Sequence, residues 1–304
     1  MSQLSTPVQL KGMPAVEQVE VLRELRIKSI RNPQATCVLA ANVLFGSGSG
    51  VLTSDEKCTV QEQFVVASLE VGNIDQASKT IHLLKQRFGS SSVRVRRLLG
   101  LQAEATNDVA QAREIYRSIL KDQPSDAFSV KRMSTILKST GHIAEAIEVL
   151  ESQNVYQDED RQSHRFLAVH NNDESTYREL MNLCFLVKKF DKCMFYAEEC
   201  ILLNPYAYIN HIRHAEMCFL NRDLERCATA YAHALTLNNG KNNARAAFGL
   251  LSVSKELMKQ RSSKNQSDIE DAKALHSWAT ARLKALYQES PLLPILSMIV
   301  QNRE

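Results

Sequence analysis

The sequence predicts an all-α protein built as a solenoid, in which helical hairpins stack into a right-handed superhelix with a helical cap at each end. Glycine and proline are scarce, with 10 and 7 among 304 residues, which favours helices joined by short turns over sheet sandwiches and barrels. Hydrophobic residues make up 44% of the chain, enough to bury a substantial core. A residue pattern that recurs every 34 or 35 positions completes the prediction.

The repeat is clearest in the stretch that begins at Val93. The later half of the 34-residue tetratricopeptide pattern is matched there by Leu99, Gly100, Ala112, Tyr116, Ile119 and Pro124. With Val93 counted as slot 1, units begin near residues 58, 93, 127, 174, 208 and 242. We therefore expect a tetratricopeptide-repeat solenoid, in which each hairpin buries its apolar face against its neighbours.

A small residue occupies slot 20 in five consecutive units: Ala77, Ala112, Ala146, Cys193 and Cys227. The two helices of a hairpin nearly touch at this slot, so a bulky side chain would overpack the contact by about 1–3 kcal/mol. Three further cysteines, Cys184, Cys200 and Cys218, fall in other small core slots. A reduced thiol behaves there as a small hydrophobe, so we expect these cysteines to pack in the core.

Residues 1–57 are expected to form an N-terminal helical cap followed by a Gly/Ser joint. Two helices are predicted at 14–31 and 34–45, with Pro33 between them. The sequence GSGSG at 46–50 is typical of a flexible joint. This cap would cover the apolar face of the first repeat.

The repeats are expected to span residues 58–252. Thr53 and Glu56 form a capping-box signature that opens the first helix of this region. One spacing between units is 47 residues instead of 34, and we place the additional residues in a mostly polar insertion near 158–173. Asp173 is expected to cap the helix that follows this insertion.

Residues 253–304 are expected to form a C-terminal helical cap, because the period fails beyond residue 252. Its long helix carries Trp278, the only tryptophan, which we expect to anchor the cap. The run LLPILSMIV at 292–300 is short and contains a proline, whereas crossing a bilayer requires roughly 18–20 apolar residues. No signal peptide is apparent either, so we expect a cytosolic protein without a membrane span.

No motif in the sequence predicts catalysis or a cofactor. A nucleophile motif, a Gly-rich phosphate loop and an HExxH metal motif are all missing, and the carboxylates are scattered. His211, His214 and Cys218 have a spacing that would suit zinc, yet they occupy slots that pack against the partner helix, so we expect no metal. The net charge of +3 gives no indication of nucleic-acid binding.

The inner face of such a solenoid is lined by the first helix of each unit, chiefly at slots 2, 5, 6, 9 and 12. The candidate partner-binding residues at these slots are Arg94, Arg97, Phe128, Lys131, Arg132, Arg178, Asn182, Phe185, Arg213 and Phe219. Cations interleaved with aromatic rings favour a trough for an acidic or amphipathic segment. The alternatives are a solvated charged face and, as a weaker use of the same pattern, RNA binding.

Binding of chaperone tails is a second possible use of these slots. Proteins of this class that hold a terminal carboxylate place basic and Asn side chains at fixed slots of three successive units. Arg178 and Asn182 fit the first of these pairs. Arg213 lies where Asn is expected, and Asn243 and Ala247 lie where bases are expected, so the clamp is incomplete.

The chain resembles the family of subunit 2 of the endoplasmic reticulum membrane protein complex, most clearly over residues 60–258. The resemblance is carried by RVRRLLGLQAEA (94–105), AREIYRSILKDQPSD (112–126), AEAIEVL (144–150), YAEECILLNPYAYINHIRHAE (196–216) and AYAHALTLNNGKNNARAAFGL (230–250). The last of these is the most specific, because family members also run from an A-AL-LNN stretch into an RA-FGL helix.

The resemblance implies a non-catalytic cytosolic scaffold, peripheral to the endoplasmic reticulum membrane. Family members cradle cytosolic parts of the membrane subunits, bind a cytosolic partner subunit, and support insertion of tail-anchored and multipass proteins. On this hypothesis the groove captures a segment of a membrane subunit and the convex face docks a second soluble subunit. We expect charge pairing by Arg97, Lys131, Arg178 and Arg213 and anchoring by Phe128, Phe185 and Phe219.

Two other functions remain open from the residues alone. The chain could be a free cytosolic co-chaperone or adaptor that binds peptide segments, or a repeat-fold subunit that lends shape to an enzyme. The incomplete clamp argues against the co-chaperone, and nothing in the sequence excludes the enzyme subunit.

Overall fold

A computed structural model describes residues 12–46, 50–151, 170–240, 243–261 and 266–301. The helices of the first half are α1 (Ala15–Ile27), α2 (Pro33–Phe45), α3 (Ser54–Val71), α4 (Ile74–Phe88), α5 (Val93–Ala105), α6 (Val109–Asp122), α7 (Ala127–Ser139) and α8 (Ile143–Glu151). Those of the second half are α9 (Glu174–Leu186), α10 (Phe190–Leu203), α11 (Tyr208–Leu220), α12 (Leu224–Leu237), α13 (Ala244–Arg261), α14 (Gln266–Leu286) and α15 (Leu293–Gln301).

The all-α repeat fold predicted from the sequence is confirmed. Helices begin at Val93, Ala127, Glu174 and Tyr208, which are the predicted starts of four units. Within the described residues no strand accompanies them. The middle of the Gly/Ser joint and nearly all of the predicted insertion lie outside the described residues.

The turn inside each of five hairpins contains a residue with positive φ, always at slot 15. That residue is Gly72, Asn107, Gly141, Lys188 or Arg222. The next backbone N–H then donates to a carbonyl five residues earlier, for example from Asp108 to Ala103 over 2.8 Å. This left-handed C-cap ends the first helix and directs the chain into the second.

Polar side chains cap the N-termini of several helices. The Thr53 hydroxyl accepts a hydrogen bond from the Glu56 N–H, and the Asp173 carboxylate accepts one from the Ser175 N–H, so both predicted caps are confirmed. Asp108 and Asp223, at slot 16, cap α6 and α12 in the same way. The side chains thus satisfy N–H groups that have no partner within the helix.

The small residues of slot 20 are buried as expected. Ala77, Ala112, Ala146, Cys193 and Cys227 are all 0% exposed. Slot 8 packs as tightly in two places, because a Cβ added to Gly100 would lie 2.6 Å from the Tyr116 ring. A Cβ added to Gly249 would likewise lie 2.3 Å from the Tyr231 ring. Buried tyrosine rings therefore occupy the space that these glycines leave.

The chain forms two compact units, and the first contains α1 to α7. Its cap is held by Leu22, Leu39 and Phe64, which are buried where α1 and α2 pack on α3. Helix α1 ends at Ile27, earlier than the predicted residue 31. The reason is local: Ser29 has a φ of 50°, and the Ile30 N–H turns back to bond a carbonyl of the preceding turn.

The second unit contains α8 to α15. Ala272, Ala279 and Leu283 are 0% exposed and join α14 to the core of this unit. Trp278 is 49% exposed, so the expectation that it anchors the cap is wrong. It lies one residue from Ala279 and hence about 100° around the helix from the buried face, which small residues fill.

None of the described helices combines the length and the apolar character that a membrane span requires.

Candidate functional site

The first unit contains a groove of about 420 Å³, here named the first groove. Three of the sequence-predicted binding residues line it: Arg94, Arg97 and Phe128. Side chains from α1 to α3 complete it, among them Ile30 and Val66, which are partly exposed apolar residues. The structure therefore brings part of the predicted set together with residues of the N-terminal cap.

Guanidinium groups in the first groove are paired with carboxylates of neighbouring helices. Arg94 binds Glu62, Arg97 binds Asp126, and Arg31 Nε lies 3.2 Å from Glu70 Oε2. The Arg97 guanidinium also lies over the Phe128 ring, 5.6 Å from its centroid, at cation–π distance. The groove is therefore less positive than its arginines alone suggest.

Two predicted residues of the first unit, Lys131 and Arg132, do not line the first groove. Arg132 Nε donates to Glu104 Oε1 over 2.9 Å, and the Tyr116 hydroxyl donates to the same oxygen over 2.6 Å. Burial, aided by the hydrogen bond to Glu104, raises the pKa of Tyr116 far above its usual value. Arg132 thus ties α7 to α5, and Lys131 lies half-buried beside it on α7.

The second unit contains a groove of about 470 Å³, here named the second groove. Four predicted residues line it, Asn182 and Phe185 from α9 and Arg213 and Phe219 from α11. The remaining lining residues are Met181, Glu216, Met217, Leu220, Tyr231 and Arg245. Apolar and aromatic side chains thus form most of its wall.

The two arginines that line the second groove differ in their hydrogen bonding. Arg245 binds Glu216 through Nε and Nη2 at 2.6 and 2.7 Å. Arg213 Nη1 is buried and has no hydrogen-bond partner among the described residues. Arg178, the fifth predicted residue of this unit, binds Glu174 one turn earlier and does not line the groove.

The carboxylates that pair with these arginines were not predicted from the sequence. Three of these carboxylates lie at inner-face slots, as the predicted cations and rings do: Glu62 at slot 5, Glu216 at slot 9 and Glu104 at slot 12. Counting acidic residues at those slots would have predicted a less basic surface. The contribution of the N-terminal cap to the first groove had no signal in the repeat pattern, because the cap lies outside the repeat.

The three residues with zinc-like spacing do not converge. The His211 ring packs on His233 and its Nε2 lies 2.8 Å from the Pro205 carbonyl, whereas His214 Nε2 lies 3.5 Å from Cys218 Sγ. Burial raises the pKa of the Cys218 thiol to about 11 and lowers the pKa of His214, so both are uncharged near pH 7. No group of three or more His, Cys, Asp and Glu in the described ranges is placed to hold a metal ion.

Comparison with known proteins places the repeats in one family. Residues 79–235 match the family described as the EMC2 TPR-like repeat domain. The chain is 30% identical over 237 residues to ER membrane protein complex subunit 2 of Xenopus tropicalis, covering 77% of this chain and 74% of that relative. It is 32% identical over 181 residues to the subunit of that name in Dictyostelium discoideum, covering 59% of this chain and 52% of that relative.

The fold is shared with a solved structure of distant sequence. The C-terminal part of a TPR repeat-containing protein from Cytophaga hutchinsonii aligns with 93% of this chain and 94% of its own, with a TM-score of 0.55. The two sequences are 13% identical, so this likeness concerns the fold alone.

Proposed function

This chain belongs to the EMC2 family of TPR-like repeat proteins, and from that premise we propose that it is a scaffold subunit of an endoplasmic reticulum membrane protein complex. The observation that carries the proposal is the match to the Xenopus tropicalis subunit, which extends over most of both chains. The proposed partners are the other subunits of such a complex, namely its membrane subunits and a cytosolic partner subunit. The proposed location is the cytosolic face of the membrane, where the chain would be peripheral.

The two grooves support a holding role. Each combines exposed or half-buried apolar side chains with polar groups at its wall, as at sites that bind a polypeptide segment. In the proposed function each groove holds a cytosolic segment of a membrane subunit, and the complex supports insertion of tail-anchored and multipass proteins. The chain itself would contribute shape and binding surface, without catalysis.

The structure gives the rival co-chaperone function little support. Asn243 is 1% exposed, and its side-chain amide donates to the carbonyls of Ala234 and Asn238. Ala247 is 0% exposed. Two positions of the carboxylate clamp are therefore inside the core, where they cannot reach a chaperone tail.

Affinity purification of the full tagged chain in a mild detergent tests the proposal. We expect a fixed set of small membrane proteins, the other complex subunits, to be recovered at constant ratios. Recovery of soluble chaperones alone would support the co-chaperone instead, and recovery of neither would contradict a scaffold role. A parallel purification with a tagged unrelated repeat protein controls for adhesion to exposed apolar surface.

A further inference from the structure

The second groove contains a guanidinium group that the described part of the chain does not fully satisfy. Arg213 Nη1 is buried without a hydrogen-bond partner among the described residues. Glu216, one turn along α11, is already bound by both Nε and Nη2 of Arg245. Arg213 lines the groove and makes no ion pair with a carboxylate of the described residues, so its charge is left for an acceptor supplied from outside.

A carboxylate is the acceptor that fits this position best. The planar fork of a guanidinium matches the two oxygens of a carboxylate, and the charge strengthens each bond. A phosphate backbone fits less well, because Glu216 lies in the same wall and repels dense negative charge. One unsatisfied cation in a mostly apolar groove matches a single acidic group in a polypeptide.

The apolar wall defines the rest of the occupant. Phe185 and Leu220 are 45% and 40% exposed, and Phe219 is half-buried beside them in the lining. Met181 and Met217 also line the groove, and their flexible thioether side chains adapt to irregular apolar surfaces. Such a wall takes an aromatic or branched aliphatic side chain.

We propose that the second groove binds a partner polypeptide segment through a carboxylate on Arg213 and an adjacent apolar side chain against Phe185 and Phe219. The inference rests on the proposed function, because it names the chemistry of the segment that this groove would hold in the complex. The carboxylate is that of an Asp or Glu side chain, because two positions of the clamp that holds a terminal carboxylate lie inside the core. A free C-terminus presents the same planar acceptor and is distinguished by the test.

Peptide selection on the intact chain tests this chemistry. The probes are two libraries of short random peptides, one displayed with a free C-terminus and the other with its C-terminus fused to the carrier. We expect enriched peptides to carry a carboxylate at a fixed spacing from an aromatic or branched aliphatic residue. Enrichment from the fused library supports a side-chain carboxylate, and enrichment confined to the free library would contradict it in favour of a terminal one.

Variants connect the selected peptides to the groove. Arg213→Gln is expected to weaken their binding by about ten- to hundredfold, the range for loss of a hydrogen bond to a charged group. Phe185→Ala removes a half-exposed ring and should weaken the same peptides. The matched control is Arg226→Gln, which alters an exposed arginine that pairs with Asp223 outside the groove and should leave affinity unchanged.

Three outcomes overturn the inference: no enrichment from either library, enriched peptides that lack a carboxylate, or equal binding by the wild-type and Arg213→Gln chains. Helical circular dichroism at the wild-type level is required of each variant, and Arg213→Lys, which keeps the charge, should fall between wild type and Arg213→Gln. Failure here is distinct from failure of the proposed function. That function is judged by the membrane proteins recovered with the wild-type chain.

Discussion

Individual contacts between residues at different slots determine which substitutions the core tolerates. Gly100 faces the buried ring of Tyr116, whose hydroxyl is held by Glu104 over 2.6 Å, so the ring cannot move away freely. Gly100→Val is expected to lower the free energy of unfolding by about 1–3 kcal/mol through overpacking. Urea denaturation followed by circular dichroism measures this change.

Gly50 provides the matched control for this prediction. A Cβ added there meets nothing within 4 Å, and Gly50→Val should change stability by less than about 0.5 kcal/mol. Equal stability losses in the two variants would show that close approach to the Tyr116 ring is not the cause.

Buried thiols make the free energy of unfolding depend on pH in the alkaline range. Burial raises the pKa of Cys193 and of Cys227 from 9.0 to about 12, because the thiolate loses its hydration. The folded state therefore holds these protons more tightly than the unfolded chain. Their contribution to stability is complete below pH 9.0 and is lost as the pH rises towards 12. We expect the free energy of unfolding to decline across that range.

Cys193→Ala tests this assignment, because Ala occupies the same slot in three other units. The variant should retain the fold and show a shallower decline of the unfolding free energy at alkaline pH. A slope identical to that of the wild-type chain would contradict a role for the Cys193 thiol.

Packing at slot 20 could be predicted from the sequence, whereas the ion pairs could not. A small residue at a constant slot reports directly on close helix contact, so the burial of Ala112 and Cys193 follows from the repeat. The partner of Arg97 is Asp126, which comes 29 residues later along the chain and lies in the loop before α7. Many carboxylates lie within reach of a long side chain, and only the folded geometry selects one.

At the level of elements, the hairpin turns depend on a left-handed residue at slot 15. Lys188 has a φ of 59°, a conformation that costs a residue with a Cβ roughly 1 kcal/mol and costs glycine little. Lys188→Gly is therefore expected to raise the free energy of unfolding by up to about 1 kcal/mol. Thermal and urea unfolding of the purified chain measure it.

The neighbouring Lys189 supplies a control of the same residue type. Its φ is −86°, so glycine relieves no strain there. Because Lys189 is the N-cap of α10, a position that glycine suits, Lys189→Gly should leave the stability nearly unchanged. Stabilisation by both substitutions, or by neither, would contradict the strain argument.

The sequence predicted the positions of the helices better than it predicted which face of each terminal helix is buried. Four repeat helices begin where the pattern places them, because capping and turn residues recur with the period. In α14 the 34-residue repeat was absent, and Trp278 was expected to anchor the cap but is 49% exposed. The small residues Ala272 and Ala279 fill that position instead, since close packing between helices favours them.

At the level of the whole molecule, the fold class followed from the repeat, whereas the lining of the two grooves followed only in part. Seven of the ten predicted binding residues line one of the two grooves. Arg132 is bound by Glu104 of another helix, and Arg178 is bound by Glu174 one turn earlier in its own helix. A slot assigns a side chain to a face of a helix, and its charge partner then decides whether it is available to another protein.

This difference in charge partners predicts unequal roles for two arginines that the sequence treated alike. Arg213 has a buried unsatisfied nitrogen in the second groove, whereas Arg178 is bound to Glu174 outside that groove. If the chain is held at the membrane through this groove, Arg213→Glu should release it from membrane fractions, because a carboxylate there would repel the acidic partner group. Arg178→Glu should release much less, since it disturbs mainly a partly exposed pair within one helix, and pairs at this spacing are worth about 0.3–0.5 kcal/mol.

Fractionation of cells that express each variant measures the membrane-bound share, with circular dichroism of the purified chains to confirm intact helices. Equal retention of the Arg213→Glu chain and the wild type would remove the second groove from the attachment. Equal release of both variants would instead place the attachment on the wider charge of α9 and α11, rather than on the Arg213 guanidinium.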